Sequence, residues 1–305
     1  KTAGPGSFSG FDLSSVPRPC FVTDLARLED NLRLLNAVTE ASGAHILTAL
    51  KAFSLWSTAP LVSQYLAGAC ASGLYEARLA RAHYSGLLSC FAPAYKTDEM
   101  DELAGLCDHI IFNTPQQISR FAGQATAQGA ELGLRVNPCL AQGEVEKYDP
   151  AAPRSRLGTP VSQLADYHFD QISGLHIHSL CEQGFSELAN VISVVKPLLD
   201  RAGGRLSWLN LGGGHMITAP DYDCEALISC LCDLKQRYDL DIYLEPGTAI
   251  AFDAGILVGE VMDIMENDGP IAILDISATC HMPDVMEAPY RPALLAEADT
   301  GTGVL

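Results

Sequence analysis

The fold of this chain is decided around residues 44–51, which read Ala-His-Ile-Leu-Thr-Ala-Leu-Lys. The run is apolar and as long as a strand, and such runs are typical of strands buried on both faces of a parallel sheet. It ends on Lys51, and burying a lysine is costly unless its amine is paired or used. A desolvated lysine can form a Schiff base with an aldehyde, whereas a lysine at a strand end can also extend to the surface. The segment therefore predicts a buried parallel strand and leaves both roles of Lys51 open.

The composition is that of a globular protein with a strongly acidic surface. The 305 residues are 48% hydrophobic and 18% charged, which suits one barrel-sized domain or two smaller ones. There are 19 basic and 37 acidic residues, a formal net charge of −18. This charge disfavours nucleic acids and anionic membranes as partners and favours a polycationic small molecule.

The ten cysteines show no pairing pattern, since most lie in apolar stretches and Cys230 and Cys232 lack the two-residue gap of a metal or redox pair. They indicate buried thiols in a reducing compartment. Residues 1–9 contain no apolar signal region, no run is long enough to span a bilayer, and the first residue is not Met. We therefore expect a cytoplasmic protein whose N-terminus has been trimmed or lies outside the given sequence.

Short apolar strands alternate with amphipathic helices along most of the chain. A strand at 19–22 and a helix over 24–41 come first, and strands then end near residues 51, 71, 91, 112 and 136 or cover 172–177, 208–211 and 242–244. Helices are predicted from about residue 57 and over 75–84, 97–106, 115–128, 186–201 and 223–238. Eight strands separated by helices predict a parallel (β/α)₈ barrel, because an open doubly wound sheet would need unusually many parallel strands.

The pattern changes from Gly255, where residues 256–263 and 270–275 form two apolar runs with no helix between them. Such runs indicate the start of an antiparallel β domain. We therefore expect a barrel domain over residues 1–250 and, over 251–305, the beginning of a β domain that the sequence does not complete.

The residues able to do chemistry follow the predicted strands, at the end of the barrel where active sites lie. They are Lys51, Glu76, Arg135, His176, His178, the run Gly212-Gly213-Gly214-His215, and Glu245. Glycines between a strand and a helix let backbone N–H groups approach a phosphate, although a tight turn has the same sequence. A carboxylate that ends a buried strand needs a cationic partner, which a protonated pyridine nitrogen or Arg135 would provide.

His176 and His178 are spaced i, i+2, which on a strand places both rings on one face. They could bind a metal ion with Glu182 or His215 as a further ligand, although a single strand-end histidine is more often structural. A metal site would give Lys51 no role. The combination of lysine, glycine turn, histidine and carboxylate therefore favours pyridoxal phosphate (PLP) over a metal.

Several motifs resemble those of the fold-type III PLP-dependent decarboxylases, the group that contains alanine racemase and the diaminopimelate and ornithine decarboxylases. They are Leu-Lys-Ala-Phe-Ser at 50–54, Ala-Ser-Gly-Leu-Tyr-Glu-Ala-Arg at 71–78, Leu-Arg-Val-Asn-Pro at 134–138, Ser-Arg-Leu-Gly at 155–158, Gly-Leu-His-Ile-His-Ser-Leu-Cys-Glu-Gln at 174–183, Asn-Leu-Gly-Gly-Gly-His at 210–215, Glu-Pro-Gly at 245–247 and Leu-Asp-Ile-Ser-Ala-Thr-Cys-His-Met-Pro-Asp-Val at 274–285. The Cys-Glu-Gln and Cys-His-Met-Pro-Asp segments are similar to the carboxynorspermidine/carboxyspermidine decarboxylase branch.

The resemblance implies a homodimeric enzyme of polyamine biosynthesis that decarboxylates a carboxylated polyamine with PLP. In that interpretation Lys51 holds the cofactor as a Schiff base, His178 stacks on its ring and Glu245 pairs with its ring nitrogen. The implied phosphate and supporting residues are Gly213, Gly214, Gly247, Arg135 and Glu76, and the implied substrate residues are Thr248, Asp284 and Glu287.

The sequence departs from the branch at two places. Thr248 stands where the branch usually has a substrate-binding glutamate, and the C-terminal segment that completes the β domain and reaches across the dimer is not in the sequence. Three other functions remain open: a diaminopimelate- or ornithine-type decarboxylase, a PLP-binding barrel without catalysis, and a metal-dependent barrel hydrolase that uses His176, His178 and His215.

Overall fold

The structure is a computed structural model that describes residues 8–143, 145–287 and 289–295. The strands are β1 Cys20–Thr23, β2 His45–Ala49, β3 Gly68–Ala71, β4 Leu87–Phe91, β5 His109–Phe112, β6 Glu131–Asn137, β7 Thr159–Pro160, β8 Gly174–His176, β9 Trp208–Asn210, β10 Asp241–Leu244, β11 Gly255–Val258, β12 Val261–Glu266 and β13 Pro270–Leu274. The helices are α1 Leu25–Ser42, α2 Ala59–Val62, α3 Leu74–His83, α4 Met100–Leu106, α5 Pro115–Ala127, α6 Phe185–Ala202, α7 Cys224–Tyr238, α8 Ala278–His281 and α9 Pro283–Glu287.

The chain divides into two compact units. One is Glu29–Ile250, and the other joins the described residues before it to those after it. The predicted assignment of residues 251–305 to the start of a β domain stays a prediction.

Eight parallel strands close the larger unit into a barrel. Their order around it is β2, β3, β4, β5, β6, β8, β9 and β10, and β10 pairs with β2 through Tyr243 opposite His45. The two-residue strand β7 is not part of this ring and pairs in parallel with the last two residues of β6. The predicted (β/α)₈ barrel is confirmed, and the strands are buried on both faces as their apolar sequences predict.

Trp208 fills the barrel interior at the end where the strands begin. Its ring stacks on His109 with centroids 4.4 Å apart, and its indole N–H donates to Glu131 Oε2 at 2.9 Å. A Cβ atom on Gly174 would lie 2.0 Å from this ring, so the adjacent strand must carry glycine there. The barrel is therefore packed at this end, and its functional residues lie at the other.

Five helices begin and end within one residue of their predicted bounds, but α4 begins at Met100 and not at residue 97. The side chains of Thr114 and Asp223 accept hydrogen bonds at the N-termini of α5 and α7. The helix expected from about residue 57 is only the short α2 after a 3₁₀ turn, with Pro60 in its first turn, where proline is tolerated. The glycine run does not lead directly into a helix, since α7 begins only at Cys224.

The smaller unit contains antiparallel strands. β1 pairs with β11, and β12 pairs with β13 in a hairpin whose residues are all exposed. The single strand predicted over 256–263 is two strands in the structure, because the chain leaves one pairing at Val258 and enters another at Val261. Among the described residues, no helix combines the length and the apolar character needed to cross a membrane.

Candidate active site

The predicted barrel residues lie beyond or near the carboxyl ends of the strands. Glu245 directly follows β10, His176 ends β8 with His178 two residues later, and the glycine turn follows β9. The ends of neighbouring parallel strands meet at one face of a barrel, which brings these groups together although they are far apart in sequence.

Glu245 is a buried carboxylate held by two side-chain donors. It is 4% exposed, Asn210 Nδ2 donates to its Oε1 at 2.7 Å, and its Oε2 lies 3.1 Å from His176 Nε2. Burial by itself would raise the pKa of Glu245, but His176 and Asn210 outweigh it, and the pKa lies below its ordinary value. Burial lowers the pKa of His176, so a neutral ring donates its Nε2–H to an ionised carboxylate.

Arg135 does not neutralise this carboxylate by contact. Its guanidinium donates to the carbonyl oxygen of His178 at 2.6 Å and lies 4.3 Å from the ring centre of Phe91. Burial lowers the pKa of Arg135 to about 10, although Glu245 opposes this shift. Within the described residues no ion pair joins Arg135 to Glu245, so the sequence-based alternative of a salt bridge between them is wrong.

His178 is a neutral imidazole next to the glycine turn. Burial first, and then the charges of Lys51 and Arg135, lower its pKa well below the ordinary value. Its Nδ1 accepts a hydrogen bond from the N–H of Gly213 at 3.4 Å. The proton of the neutral ring is therefore on Nε2.

The glycine turn packs so closely that side chains do not fit. A Cβ atom on Gly213 would lie 2.3 Å from the carbonyl oxygen of Glu245, and one on Gly214 would lie 2.2 Å from that of Leu180. Gly214 also has a φ of +83°, which favours glycine. No described residue accepts a hydrogen bond from the N–H of Gly214 or of Gly247. Backbone donors without acceptors, on two adjacent loops, are suited to an anion.

Lys51 lies at this end of the barrel but is not buried. Strand β2 stops at Ala49 and not at Lys51 as predicted, and Lys51 is exposed in the turn that follows. The turn packs against the loop of Gly247, because a Cβ atom there would lie 2.4 Å from Ala52 Cβ. The Lys51 charge contributes to the lowered pKa of both His178 and Glu245, so its amine is within electrostatic reach of both.

Two further predicted residues make local contacts. Glu76 Oε2 accepts a hydrogen bond from the N–H of Ser72, two residues before the start of α3, at 2.7 Å. The hydroxyl of Thr248 donates to Glu182 Oε1 at 3.2 Å, and Glu182 has a φ of +53°, which is uncommon for a residue other than glycine. Their cofactor and substrate roles stay predictions.

Asp284 and Glu287 belong to the smaller unit, on the short helix α9. Asp284 Oδ2 accepts a hydrogen bond from the hydroxyl of Tyr290 at 2.6 Å. Their predicted contact with substrate stays a prediction.

The histidine pair also forms the one group among the described residues that could hold a metal ion. Ligand atoms of His176, His178 and Glu245 lie within 4.8 Å of one another. Neither Glu182 nor His215 is the third member, which corrects that part of the metal hypothesis. His215 Nε2 faces the carbonyl oxygen of Leu211 at 3.4 Å instead, and burial lowers its pKa to about 4.

The site fits PLP. Glu245 is an ionised, buried carboxylate whose contacts are neutral donors, so it can accept a protonated ring nitrogen. Unused N–H groups on two loops suit a phosphate, and the exposed amine of Lys51 is within electrostatic reach of the carboxylate. The metal hypothesis explains the three clustered ligands but neither the glycine turns nor Lys51.

Asn210 also belongs to this site, although the sequence-based prediction gave it no role there. Asn210, which is fully buried, donates to Glu245 and also accepts from the N–H of Gly212 at 2.8 Å. A signal was available, because a polar amide that ends a buried strand just before a glycine run needs hydrogen-bond partners.

Comparison with known proteins extends this picture, although no protein-family model matches the chain. A carboxynorspermidine/carboxyspermidine decarboxylase of Campylobacter jejuni is 38% identical over 280 residues, which cover 92% of this chain and 73% of the relative. A carboxyaminopropylagmatine decarboxylase of Synechocystis is 35% identical over 293 residues, which cover 95% and 76%. The crystal structure of the Campylobacter jejuni carboxynorspermidine decarboxylase complexed with norspermidine has a TM-score of 0.83 and 37% identity, and covers 90% of this chain and 72% of that one.

The closed parallel barrel and its likeness to this solved structure place the protein in the class of alanine racemase-like barrel decarboxylases. Within this class, two carboxynorspermidine/carboxyspermidine decarboxylases share more than 35% sequence identity with this chain over most of both sequences. The chain belongs to the carboxynorspermidine/carboxyspermidine decarboxylase family, and it is a carboxy-lyase of fold type III.

Proposed function

We propose that this decarboxylase uses PLP to remove CO₂ from carboxynorspermidine or carboxyspermidine in polyamine biosynthesis. The observation that carries the proposal is the buried, ionised Glu245, which is held by two neutral donors and has no cation in contact among the described residues. The relatives of the family supply the substrate class, because the Campylobacter jejuni enzyme is named for both compounds.

The bound cofactor supplies an electron sink for the pair that remains when the bond to CO₂ breaks. Glu245 keeps a proton on the ring nitrogen, because an ionised carboxylate in a buried site strongly favours a protonated partner. His178 presents the face of a neutral ring, with its N–H on Nε2. The N–H groups of Gly214 and Gly247 would donate to the phosphate, and Lys51 would hold the cofactor through its amine.

The polycationic substrate suits acidic groups away from the reacting carbon. Thr248 orients Glu182 through a hydrogen bond, and the Glu182 carboxylate can pair with a substrate ammonium. Asp284 and Glu287 provide further charge in the segment that the resemblance assigns to substrate. Asp284→Asn should raise KM for a carboxylated polyamine about 10-fold or more, since a charge-assisted hydrogen bond contributes roughly 1.5–3 kcal/mol.

The proposal includes a homodimer in the cytoplasm. All ten cysteines are free thiols, which supports a reducing compartment. The dimer rests on the family resemblance, and the mass of the purified protein in solution tests it.

A substrate panel tests the proposal. The full-length protein with added PLP should release CO₂ from carboxynorspermidine and carboxyspermidine faster than from carboxyaminopropylagmatine, diaminopimelate or ornithine. Faster turnover of diaminopimelate than of both carboxylated triamines would overturn the substrate assignment and leave the fold and the cofactor in place. Stoichiometric bound metal, together with no absorbance from bound PLP, would instead support the metal-dependent alternative at His176, His178 and Glu245.

A further inference from the structure

One buried side chain joins the two parts of the candidate cofactor site. Asn210 is the last residue of β9 and has no exposed surface. Its Nδ2 donates to Glu245 Oε1 at 2.7 Å, and its Oδ1 accepts from the N–H of Gly212 at 2.8 Å. The same amide therefore holds the carboxylate and the first residue of the glycine turn.

The backbone of Asn210 fixes where this amide lies. Asn210 pairs with His176 of β8 on one side and with Tyr243 of β10 on the other. Its carbonyl oxygen accepts from the N–H of Ile177 at 2.8 Å. Neighbouring strands thus hold Asn210 next to both His176 and Glu245, and its planar amide cannot rotate without breaking both side-chain hydrogen bonds.

The Glu245 carboxylate is held at both oxygens. Asn210 contacts Oε1 and His176 contacts Oε2, so neither donor can take the place of the other. The other ionisable groups that lie near the carboxylate or interact with its charge are Lys51, Cys70, His109, Arg135, His178 and His215. A side-chain hydrogen bond to Glu245 contributes to the raised pKa of the Cys70 thiol, so this thiol is a further neutral contact of the carboxylate, and Asn210 is its amide donor at Oε1.

We propose that Asn210 is a positioning residue that couples the carboxylate facing the cofactor ring to the turn that holds the cofactor phosphate. The inference rests on the proposed function, in which Glu245 faces the ring nitrogen. Removing the amide takes the donor at Oε1 from the carboxylate and leaves the N–H of Gly212 without its acceptor. The two losses have different consequences, which separate substitutions can distinguish.

Asn210→Ala removes both contacts. Because the ionised Glu245 loses a donor, it should take up a proton at a higher pH. The acidic limb of the activity profile should therefore move up by about one pH unit. Because a hydrogen bond to a charged group is stronger than one between neutral groups, its loss should lower kcat about 10- to 100-fold. KM should change by less than about threefold. The affinity for PLP should also fall, since the turn loses its anchor.

Asn210→Asp removes only one contact. Its carboxylate still accepts from the N–H of Gly212, so the affinity for PLP should stay close to that of the wild type. It replaces the donor to Glu245 with a second acid, so the acidic limb of the pH profile should move further than in Asn210→Ala.

Asn31→Ala is the matched control. Asn31 is also a buried amide, 3% exposed, and its Nδ2 donates to the carbonyl oxygen of Ile250 at 3.2 Å. This variant should lose thermal stability and keep the wild-type pH profile.

The decisive measurement is the absorbance of bound PLP as a function of pH, together with the pH profile of kcat, for the wild type and the three variants. Shifts in Asn210→Ala and Asn210→Asp but not in Asn31→Ala support the inference. If Asn210→Ala lost stability as Asn31→Ala does and kept the wild-type spectrum and profile, the residue would be structural only and the inference would be overturned. A wild type that binds no PLP would overturn the proposed function instead, so the two failures are distinct.

Discussion

The two ends of the barrel contain similar residues arranged for different purposes. Where the strands begin, Asp108 accepts from Arg81 and from the N–H of Leu88, both at 2.7 Å, and Glu131 accepts from Trp208. Where they end, the carboxylate of Glu245 contacts only neutral donors. Asp108 is therefore paired with a cation of the fold, whereas Glu245 contacts no lysine or arginine among the described residues.

The backbone shows the same contrast. At the closed end a tryptophan ring fills the space that Gly133 and Gly174 leave open. At the open end the glycines pack closely against the backbone, and no described residue accepts a hydrogen bond from the N–H of Gly214 or of Gly247. Residue type alone therefore does not identify the site. The site is identified by the backbone N–H groups for which no described residue is an acceptor.

The largest expected effect is the loss of Lys51. Lys51→Ala should abolish turnover, by at least about 1000-fold, because no other described amine would hold the cofactor covalently. Borohydride reduction of the PLP-loaded protein followed by peptide mapping should label Lys51. The control is Lys235→Ala at the opposite end, where the Lys235 amine donates to the carbonyl oxygen of Gly43 at 2.8 Å. A label on any other lysine would remove Lys51 from the mechanism.

The next effect compares one glutamate from each end. Glu245→Gln should keep PLP bound and reduce kcat about 100- to 1000-fold, since it loses several kcal/mol of charge stabilisation. Glu131→Gln should change kcat by less than about twofold, because a glutamine oxygen can still accept from Trp208. Steady-state kinetics on both variants checks this, and equal losses would mean that both glutamates act only on the fold.

His215 should make stability depend on pH at the open end. Burial lowers its pKa from 6.5 to about 4, so the unfolded chain binds a proton at a higher pH than the folded chain does. Stability is then lost as the pH falls from 6.5 towards 4, and His215 accounts for about 3 kcal/mol of this loss. Urea unfolding over this range should show a shallower pH dependence for His215→Gln than for the wild type. An unchanged dependence would assign the acid sensitivity to other groups.

The smallest effect concerns Thr248. Thr248→Val removes the hydroxyl that holds Glu182, and KM for a carboxylated triamine should rise about three- to tenfold with kcat nearly unchanged, the size of one hydrogen bond. Thr126→Val is the control, because the Thr126 hydroxyl donates to Ala122 within α5. Equal KM values in the two variants would show that the contact between Thr248 and Glu182 does not bear on substrate.

Local patterns predicted the barrel but not the state of its lysine. The alternation of short apolar strands and amphipathic helices is set by nearby residues, and the eight strands formed where the pattern placed them. The same pattern ended the strand at Lys51, whereas β2 ends two residues earlier and Lys51 is exposed in the turn that follows. Strand boundaries depend on tertiary packing, which single-chain patterns describe poorly.

The sequence by itself determined the fold class, the glycine turns and the residue types at the strand ends, because periodicity and backbone freedom are local properties. Only the tertiary structure decided which of these residues meet. Glu245 is held by His176, 69 positions earlier, and by Asn210, 35 positions earlier, and not by Arg135. Such partners follow from the register between neighbouring strands, which places residues far apart in sequence side by side and determines whether a buried charge is neutralised or left for a ligand.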